Sequence, residues 1–386
     1  MVFDGLALVS AVLWALGGLF LAFGWMRSQG VRKLREAVVQ PVAEWPSVTV
    51  IVPARDECES IRETVTRLAE STYPKLKIIV VNDRSRDGTG DIARDLTTSN
   101  PNLTVVDIEA LPELWLGKTH AMQAGYERSH GDWLCFVDAD VKVSRDCIRR
   151  AMAVVLEGKL DHLALFPSME THGIGEGAFV VAFALFFGAC FQPWKAKNPN
   201  SSRFCGVGAF NLIRRTAYEG VGTHEALRLE IADDMKLGKL IKRHGFRQDV
   251  FDGDGHLSVR WQSGGLSGYV RGLEKNAFAG LNYSLFRVVL ATAGIFLISV
   301  VPFLGLLLTD GYGRWASGMS VSLLALAYVP ITHQMRTSWL YFMVHPLAAI
   351  LLAWSIWRST FKALTTGHVS WRGTDYPLSL LRRYMI

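Results

Sequence analysis

Asp138 and Asp140 stand at the end of a short apolar run, Trp133-Leu134-Cys135-Phe136-Val137, with only Ala139 between them. Carboxylates spaced this way offer hard oxygens to Mg2+ or Mn2+, and a cation held there can bind a pyrophosphate in turn. An isolated Asp-x-Asp fits a solvated turn as well, but its neighbours favour a site. Asp56 and Glu57 follow the apolar stretch Val48 to Val52, and Asp83 follows Lys77 to Val81. On one sheet these acids would share a rim, where they repel one another unless a cation or ligand neutralises them.

The elements that must carry them are legible in the same stretches. Val48–Val52, Lys77–Val81, Leu103–Asp107 and Trp133–Val137 read as strands, short and apolar. Five consecutive large apolar residues suit a strand covered on both faces. Between them, Ser60 with Glu63 predicts a capping box that opens a helix to about Glu70. Asp87-Gly88 turns the chain into a helix reaching about Thr98, and Lys118 to Ser129 forms a third, stopped near Gly131. Strand-helix alternation on this spacing predicts the α/β class, a mostly parallel sheet with helices on both faces. In such sheets ligands bind beyond the carboxyl ends of the strands, where the acids fall.

Four stretches in order, Val50-Ile-Val-Pro-Ala-Arg-Asp-Glu57, Val81-Asn-Asp-Arg-Ser-Arg-Asp-Gly-Thr89, Gly117-Lys118 and Asp138-Ala-Asp140, resemble the successive motifs of inverting family 2 glycosyltransferases. The likeness runs from about Ser47 to about Tyr283. It implies a GT-A, Rossmann-like fold and a nucleotide-sugar donor. Carried over, Pro53, Ala54, Arg55 and Glu57 would border the nucleotide, and Asp83 would accept a hydrogen bond from the uracil N–H. Asp138 would sit near the ribose and the metal, Asp140 would ligate the metal, and Lys118 would lie close to the nucleotide or its phosphates. The chemistry agrees, because a departing nucleoside diphosphate needs a divalent cation and nearby Lys or Arg, and an acceptor hydroxyl needs a base.

For that base the family places an acidic pair just before a basic helix, its second member acting. Here Ile231-Ala-Asp-Asp234 precedes Met235 to Gly245, so the resemblance assigns the base to Asp234 with Asp233 beside it. A helix N-terminus favours acids in any case. Upstream, Cys205 to Arg215 matches the family's glycine-containing segment beside donor and acceptor; Gly206 and Gly208 there admit close backbone approach to a ligand or mark a bulge. In His256-Leu-Ser-Val-Arg-Trp261, Leu257 stands where processive polysaccharide synthases and ceramide glucosyltransferase have Gln or Arg, which argues against a processive synthase. Arg260 and Arg271 are second-rank candidates for the pyrophosphate, with lipid-headgroup contact as the other reading. Gly272 to Phe278 resembles a stretch in bacterial enzymes that glycosylate carotenoids, with a hopanoid-associated branch similar; the tail Trp371 to Tyr376 resembles the ending of the lipid-modifying branch, Thr374 departing from it.

Composition sets the setting. The chain is 50% hydrophobic and 20% charged with a formal charge of +6, and its mean hydropathy is +0.20. That is too apolar for an ordinary soluble protein and too charged for spans alone. The basic residues cluster beside apolar segments, which favours a bilayer surface and no nucleic acid. Five cysteines show no paired spacing and fit a reducing compartment. Gly5 to Met26 is long enough to cross a bilayer, and Arg27, Arg32, Lys33 and Arg35 after it place the following domain in the cytoplasm. Ala178 to Phe191 is apolar but short for a span and reads as an interfacial helix, and Gly265 to Tyr283 reads as an amphipathic one. Val288–Leu308, Trp315–Ile331 and Trp339–Trp357 read as three further spans, with Pro302, Pro330 and Pro346 as kinks. Three crossings put the C-terminus outside, whereas Arg358, Lys362, Arg372, Arg382 and Arg383 favour the inside.

The expected organisation is an N-terminal transmembrane helix (1–30), a GT-A catalytic domain (45–255), an interfacial region (256–286), C-terminal transmembrane helices (287–358) and a basic tail (359–386). The expected activity is inverting transfer of a hexose, glucose foremost, from a UDP-sugar to a membrane lipid hydroxyl, of isoprenoid, carotenoid or sphingolipid type. It would use Mg2+ or Mn2+ at the cytoplasmic face of a bacterial inner membrane. A polyprenyl-phosphate acceptor, a processive polysaccharide synthase and an inactive scaffold are the alternatives, the last countered by the presence of Asp83, Asp140 and Asp234.

Overall fold

A computed structural model of the chain describes residues 2–28, 30–40, 44–261 and 264–386. They form two compact units, one of Gln29–Glu170 and Gln192–Arg260 with Ile386, the other of Met1–Ser28, Thr171–Phe191 and Trp261–Met385.

The first unit is built on a sheet of eight strands among the described residues. In space they run Arg32–Lys33, Gln248–Asp252, His162–Phe166, Asn211–Arg214, Trp133–Phe136, Val48–Ala54, Leu76–Asp83 and Leu103–Ile108. Every pairing is parallel except those of Asn211–Arg214, which is antiparallel to both neighbours. Successive residues of a strand point to opposite faces. Val50 and Val52 therefore join one apolar layer with Ile61, Val65 and Leu68 of the helix Ile61–Ala69. Ile51 joins the other, with Ala121 and Met122 of the helix Gly117–Glu127 and Leu237 and Ile241 of the helix Asp233–Arg243. This burial on both faces is why the strands read as unbroken apolar runs. The expected α/β class with a mostly parallel sheet is what the chain adopts.

One local expectation is corrected. Ser60 does precede the helix Ile61–Ala69, but no capping box forms. Its backbone is already αR and its hydroxyl donates to the carbonyl (3.3 Å) and carboxylate (3.1 Å) of Glu57, while Glu63 pairs with Arg67 one turn on. The signature was satisfied elsewhere because both partners found closer groups.

Among the described residues, Val2–Gly24, Gly173–Lys195, Gly311–Met335 and Trp339–Thr366 are helical segments long and apolar enough to cross a membrane, up to five if the pair Gly265–Gly280 and Leu285–Ser299, bent by 120°, counts as one; all but Gln192–Lys195 fall in the second unit. Two expectations change here. The apolar stretch ending at Phe191 begins at Gly173 and gives a helix of 19 residues, not the short one read from Ala178. The stretch Val288 to Leu308 is not one helix but two, Leu285–Ser299 and Val301–Leu308, with Pro302 in the first turn of the second. Proline lacks the N–H that would continue the first helix and suits the start of the next. Within this unit the helix Gly265–Gly280 is tied to His345–Thr366: Glu274 pairs with Lys362 (2.5 Å) and Arg358 (3.2 Å), and the Ser359 hydroxyl donates to the Glu274 carbonyl and accepts from the Phe278 N–H.

Candidate active site

The carboxyl ends of the central strands carry the acids, as the alternation predicts. The loop after Val48–Ala54 is stitched to the loop after Leu76–Asp83: the Asp56 N–H donates to the Ser85 hydroxyl (3.1 Å), the Glu57 N–H to the Thr89 hydroxyl (2.8 Å), and the Arg86 N–H to Asp56 (2.8 Å). Asp83, buried at its strand end, is flanked by Arg84 (Nε 2.7 Å) and Arg55 (Nη1 3.6 Å). The turn Asp138-Ala139-Asp140 is pinned by the Thr64 hydroxyl, which donates to the Ala139 carbonyl at 2.8 Å.

At the centre Lys118, second residue of the helix Gly117–Glu127, reaches Asp138 Oδ1 at 2.6 Å. Burial works against its charge, yet Asp138, Asp233 and Asp234 together hold the ammonium above the ordinary lysine range. Asp233 and Asp234 open the helix Asp233–Arg243. Both oxygens of Asp234 are fixed, accepting from the backbone N–H of Gly208 (2.8 Å) and Met235 (2.7 Å). Burial raises its pKa against the pull of Lys118 and those two donors. Asp233 is pushed up to about 7, mainly by burial, with Lys118 opposing and the other carboxylates adding. Asp140 is likewise pushed up to about 7, by burial first and then by Asp138 and Glu57. A single ammonium therefore serves several converging carboxylates.

Gly206 and Gly208 bring the segment Cys205–Arg215 against this cluster. A β-carbon at Gly206 would lie 1.8 Å from the Asp234 carbonyl oxygen, and one at Gly238 would lie 2.3 Å from that of Cys205. The close approach at Gly206 is thus to the chain's own helix rather than to a ligand. A β-carbon at Gly208 would lie 2.9 Å from Asp138 Oδ2 and 3.5 Å from Asp234 Oδ2. Gly206→Ala is expected to push the Asp233–Arg243 helix away, costing about 1–3 kcal/mol and most of the activity. A thermal melt and a transfer assay on the same preparation check it.

A cavity of about 10 Å³ opens among these groups, and Pro53, Lys118, Asp138, Gly208, Asp233 and Asp234 line it. Six of the sequence-predicted residues are thus brought together. Ala54, Arg55, Glu57, Asp83 and Asp140 border the same rim without lining the cavity. Arg260 is exposed just past the strand Leu257–Val259 and is not part of the lining; Arg271 belongs to the other compact unit. The cavity also holds a residue that sequence reasoning missed, His224, with Asn211 beside it. No motif marks His224 in the sequence; it follows Gly222 and Thr223, whose φ values of 89° and 59° lie in the left-handed region.

Among the described residues no three His, Cys, Asp or Glu side chains converge to hold a metal by themselves. Two carboxylates nevertheless fit a magnesium-type ion, which keeps open positions for substrate phosphates. Asp140, whose pKa burial first and then Asp138 and Glu57 raise to about 7, is a carboxylate that such a cation would help to ionise.

Comparison with known proteins bears on this geometry. Residues 49–222 match the family model described as Glycosyl transferase family 2. Two curated relatives, the 4,4'-diaponeurosporenoate glycosyltransferases of Staphylococcus aureus strains MRSA252 and USA300, are each 25% identical over 344 residues, covering 86% of this chain and 89% of theirs. A solved mannosyltransferase of Pyrobaculum calidifontis, in complex with GDP-Man and Mn2+, covers 92% of this chain and 99% of its own with a TM-score of 0.53 at 18% identity, a likeness of fold.

Proposed function

From a chain that is a family 2 glycosyltransferase on a GT-A fold, with helices long and apolar enough to cross a membrane, we propose an enzyme that moves a hexose, glucose foremost, from a UDP-sugar to the hydroxyl of a membrane lipid. The acceptor is of carotenoid or related isoprenoid type, a class in keeping with the relatives' name. The reaction takes place at the cytoplasmic face of a bacterial cell membrane, as the arginines and lysine after the first helix suggest.

The observation that carries this reading is Asp234, a carboxylate held rigidly by two backbone donors in the cavity that Lys118 and Asp138 share. Asp234 accepts the proton of the acceptor hydroxyl as that oxygen attacks the anomeric carbon. Lys118 faces the departing diphosphate, and attack opposite the leaving group inverts the carbon. Asp83 accepts from the uracil N–H, while Pro53, Ala54, Arg55 and Glu57 border the nucleotide. Gly208 leaves room for the donor. Asp140, with Asp138, would hold a divalent ion, Mg2+ or Mn2+, which when bound would supply neutralisation of charge on the diphosphate. Arg260 and Arg271 stay as secondary candidates for phosphate contact.

A second reading concerns the acceptor alone. The compound in the relatives' name, 4,4'-diaponeurosporenoate, is a carboxylate, and a carboxylate or phosphate acceptor arrives already deprotonated. The full chain in lipid nanodiscs, given UDP- and GDP-sugars with Mn2+ and either a lipid alcohol, a carotenoid acid or a polyprenyl phosphate, separates these by mass spectrometry of the products. Transfer of one hexose from a UDP-sugar to the alcohol is expected. A long water-soluble glycan as the sole product would end the lipid reading.

A further inference from the structure

His224 is buried to 1% exposure, lines the cavity, and has no part in the chemistry described above. Its surroundings fix which face it presents. The oxygen of Tyr218, itself fully buried, accepts the backbone N–H of His224 at 2.9 Å and shares a 2.6 Å hydrogen bond with its Nδ1. A phenol has one proton to give, and with its oxygen already accepting an amide, giving that proton to Nδ1 satisfies both groups. The ring's own proton then sits on Nε2. Phe136 packs edge-on against the ring at 4.8 Å, holding its plane. Nε2 makes no hydrogen bond among the described residues. It is not among the sealed, unsatisfied polar atoms of the described residues, so it is reachable from the cavity and open to a ligand's oxygen.

Resting on the reading of the chain as a sugar transferase, we infer that the His224 Nε2–H donates a hydrogen bond to one hydroxyl of the donor's hexose and so selects that sugar. The hexose must bridge the diphosphate, which Lys118 and Asp138 face, and the acceptor oxygen, which Asp234 faces. A group lining the same cavity meets the ring in between. The cavity, about 10 Å³, has the size of a single water and hence of one hydroxyl. Asp233, 6% exposed, also lines it and supplies an acceptor for the proton of that hydroxyl. The imidazole stays neutral throughout, because burial and then Lys118 push its pKa down to about 3, so it acts as a hydrogen-bond donor and moves no proton.

The test measures equilibrium binding of UDP, UDP-glucose and its four monodeoxy analogues to the full chain with Mn2+, for wild type, His224→Leu, His224→Gln and Tyr218→Phe. Wild type is expected to lose at least about 10-fold in affinity for one deoxy analogue. His224→Leu should lose that discrimination at the same hydroxyl while binding UDP unchanged. His224→Gln, which restores an N–H, should regain part of it. Tyr218→Phe, which frees the tautomer, should weaken it with the imidazole in place. Equal losses for UDP and every sugar, or discrimination unchanged in His224→Leu and Tyr218→Phe, would overturn the assignment and leave the transferase reading standing. Absence of UDP-sugar binding by wild type would overturn the donor reading and this inference together.

Discussion

Asp234→Asn is expected to slow transfer to a lipid hydroxyl by about 10²–10⁴-fold, the usual worth of a general base. The change is nearly isosteric. One amide oxygen can still accept from the Gly208 or Met235 N–H, but the amide NH2 turned toward the other donor cannot. The helix start keeps one of its two contacts, so the melting temperature should drop modestly, reflecting the about 1–3 kcal/mol of one unpaired buried donor, a smaller effect than the loss of rate. The informative measurement is the single-turnover rate on two acceptors. With an alcohol the rate collapses; with a carotenoid acid or polyprenyl phosphate, whose nucleophile carries no proton to remove, it falls far less. In wild type the alcohol rate should also rise with pH, since burial raises the pKa of Asp234 and only the ionised form can take a proton. An Asn variant as fast as wild type on the alcohol would remove Asp234 from the mechanism.

Asp140→Asn should move activity and stability in opposite directions. Activity should fall by about 10³-fold or more, because charge stabilisation worth several kcal/mol at the diphosphate is lost. Stability follows from the sign of the shift. The folded-state pKa of Asp140 is raised to about 7 from 3.8, so the folded chain binds the proton more tightly than the unfolded one. The associated stability is present below about pH 4 and is lost as pH climbs toward 7. Asparagine stays neutral, so metal-free Asp140→Asn should melt higher than metal-free wild type at pH 8 and not at pH 4. Mn2+ should raise the wild-type melting temperature at pH 8 and leave the variant unmoved. Melting curves with chelator or Mn2+ at the two pH values decide it, and an equal response of variant and wild type to the ion would discard Asp140 as a ligand.

Much of the catalytic unit was visible in the chain itself because its signals are local. Apolar runs such as Val48–Val52 and Trp133–Val137 announce doubly covered strands, and the acids at their ends fall on one rim by the direction of a parallel sheet. What the sequence hid depends on distant partners. The strand Asn211–Arg214 runs antiparallel between two parallel neighbours, and no periodicity tells which edge it enters. His224 sits in a turn without a motif; only the fold brings Tyr218 and the cavity to it. Gly206 was open to a ligand-facing or bulge reading, and its proximity to the Asp234 carbonyl is a tertiary fact. The break at Pro302 was foreseen as a kink, but the chain stops one helix at Ser299 and starts another at Val301, whereas Pro330 stays inside the helix Gly311–Met335.

The helix Gly173–Phe191 lies in sequence between strands of the catalytic sheet, after His162–Phe166 and before Asn211–Arg214. During synthesis the ribosome therefore emits most of one fold, then a segment fit for lipid, and only afterwards the strand that completes the sheet's middle. The nascent sheet must wait with a gap between Trp133–Phe136 and His162–Phe166, its edges open to mispairing, until the polypeptide returns. Trimming the two ends leaves this apolar helix inside whatever fragment retains Asp138 and Asp234, so such a fragment is expected to need detergent to stay in solution.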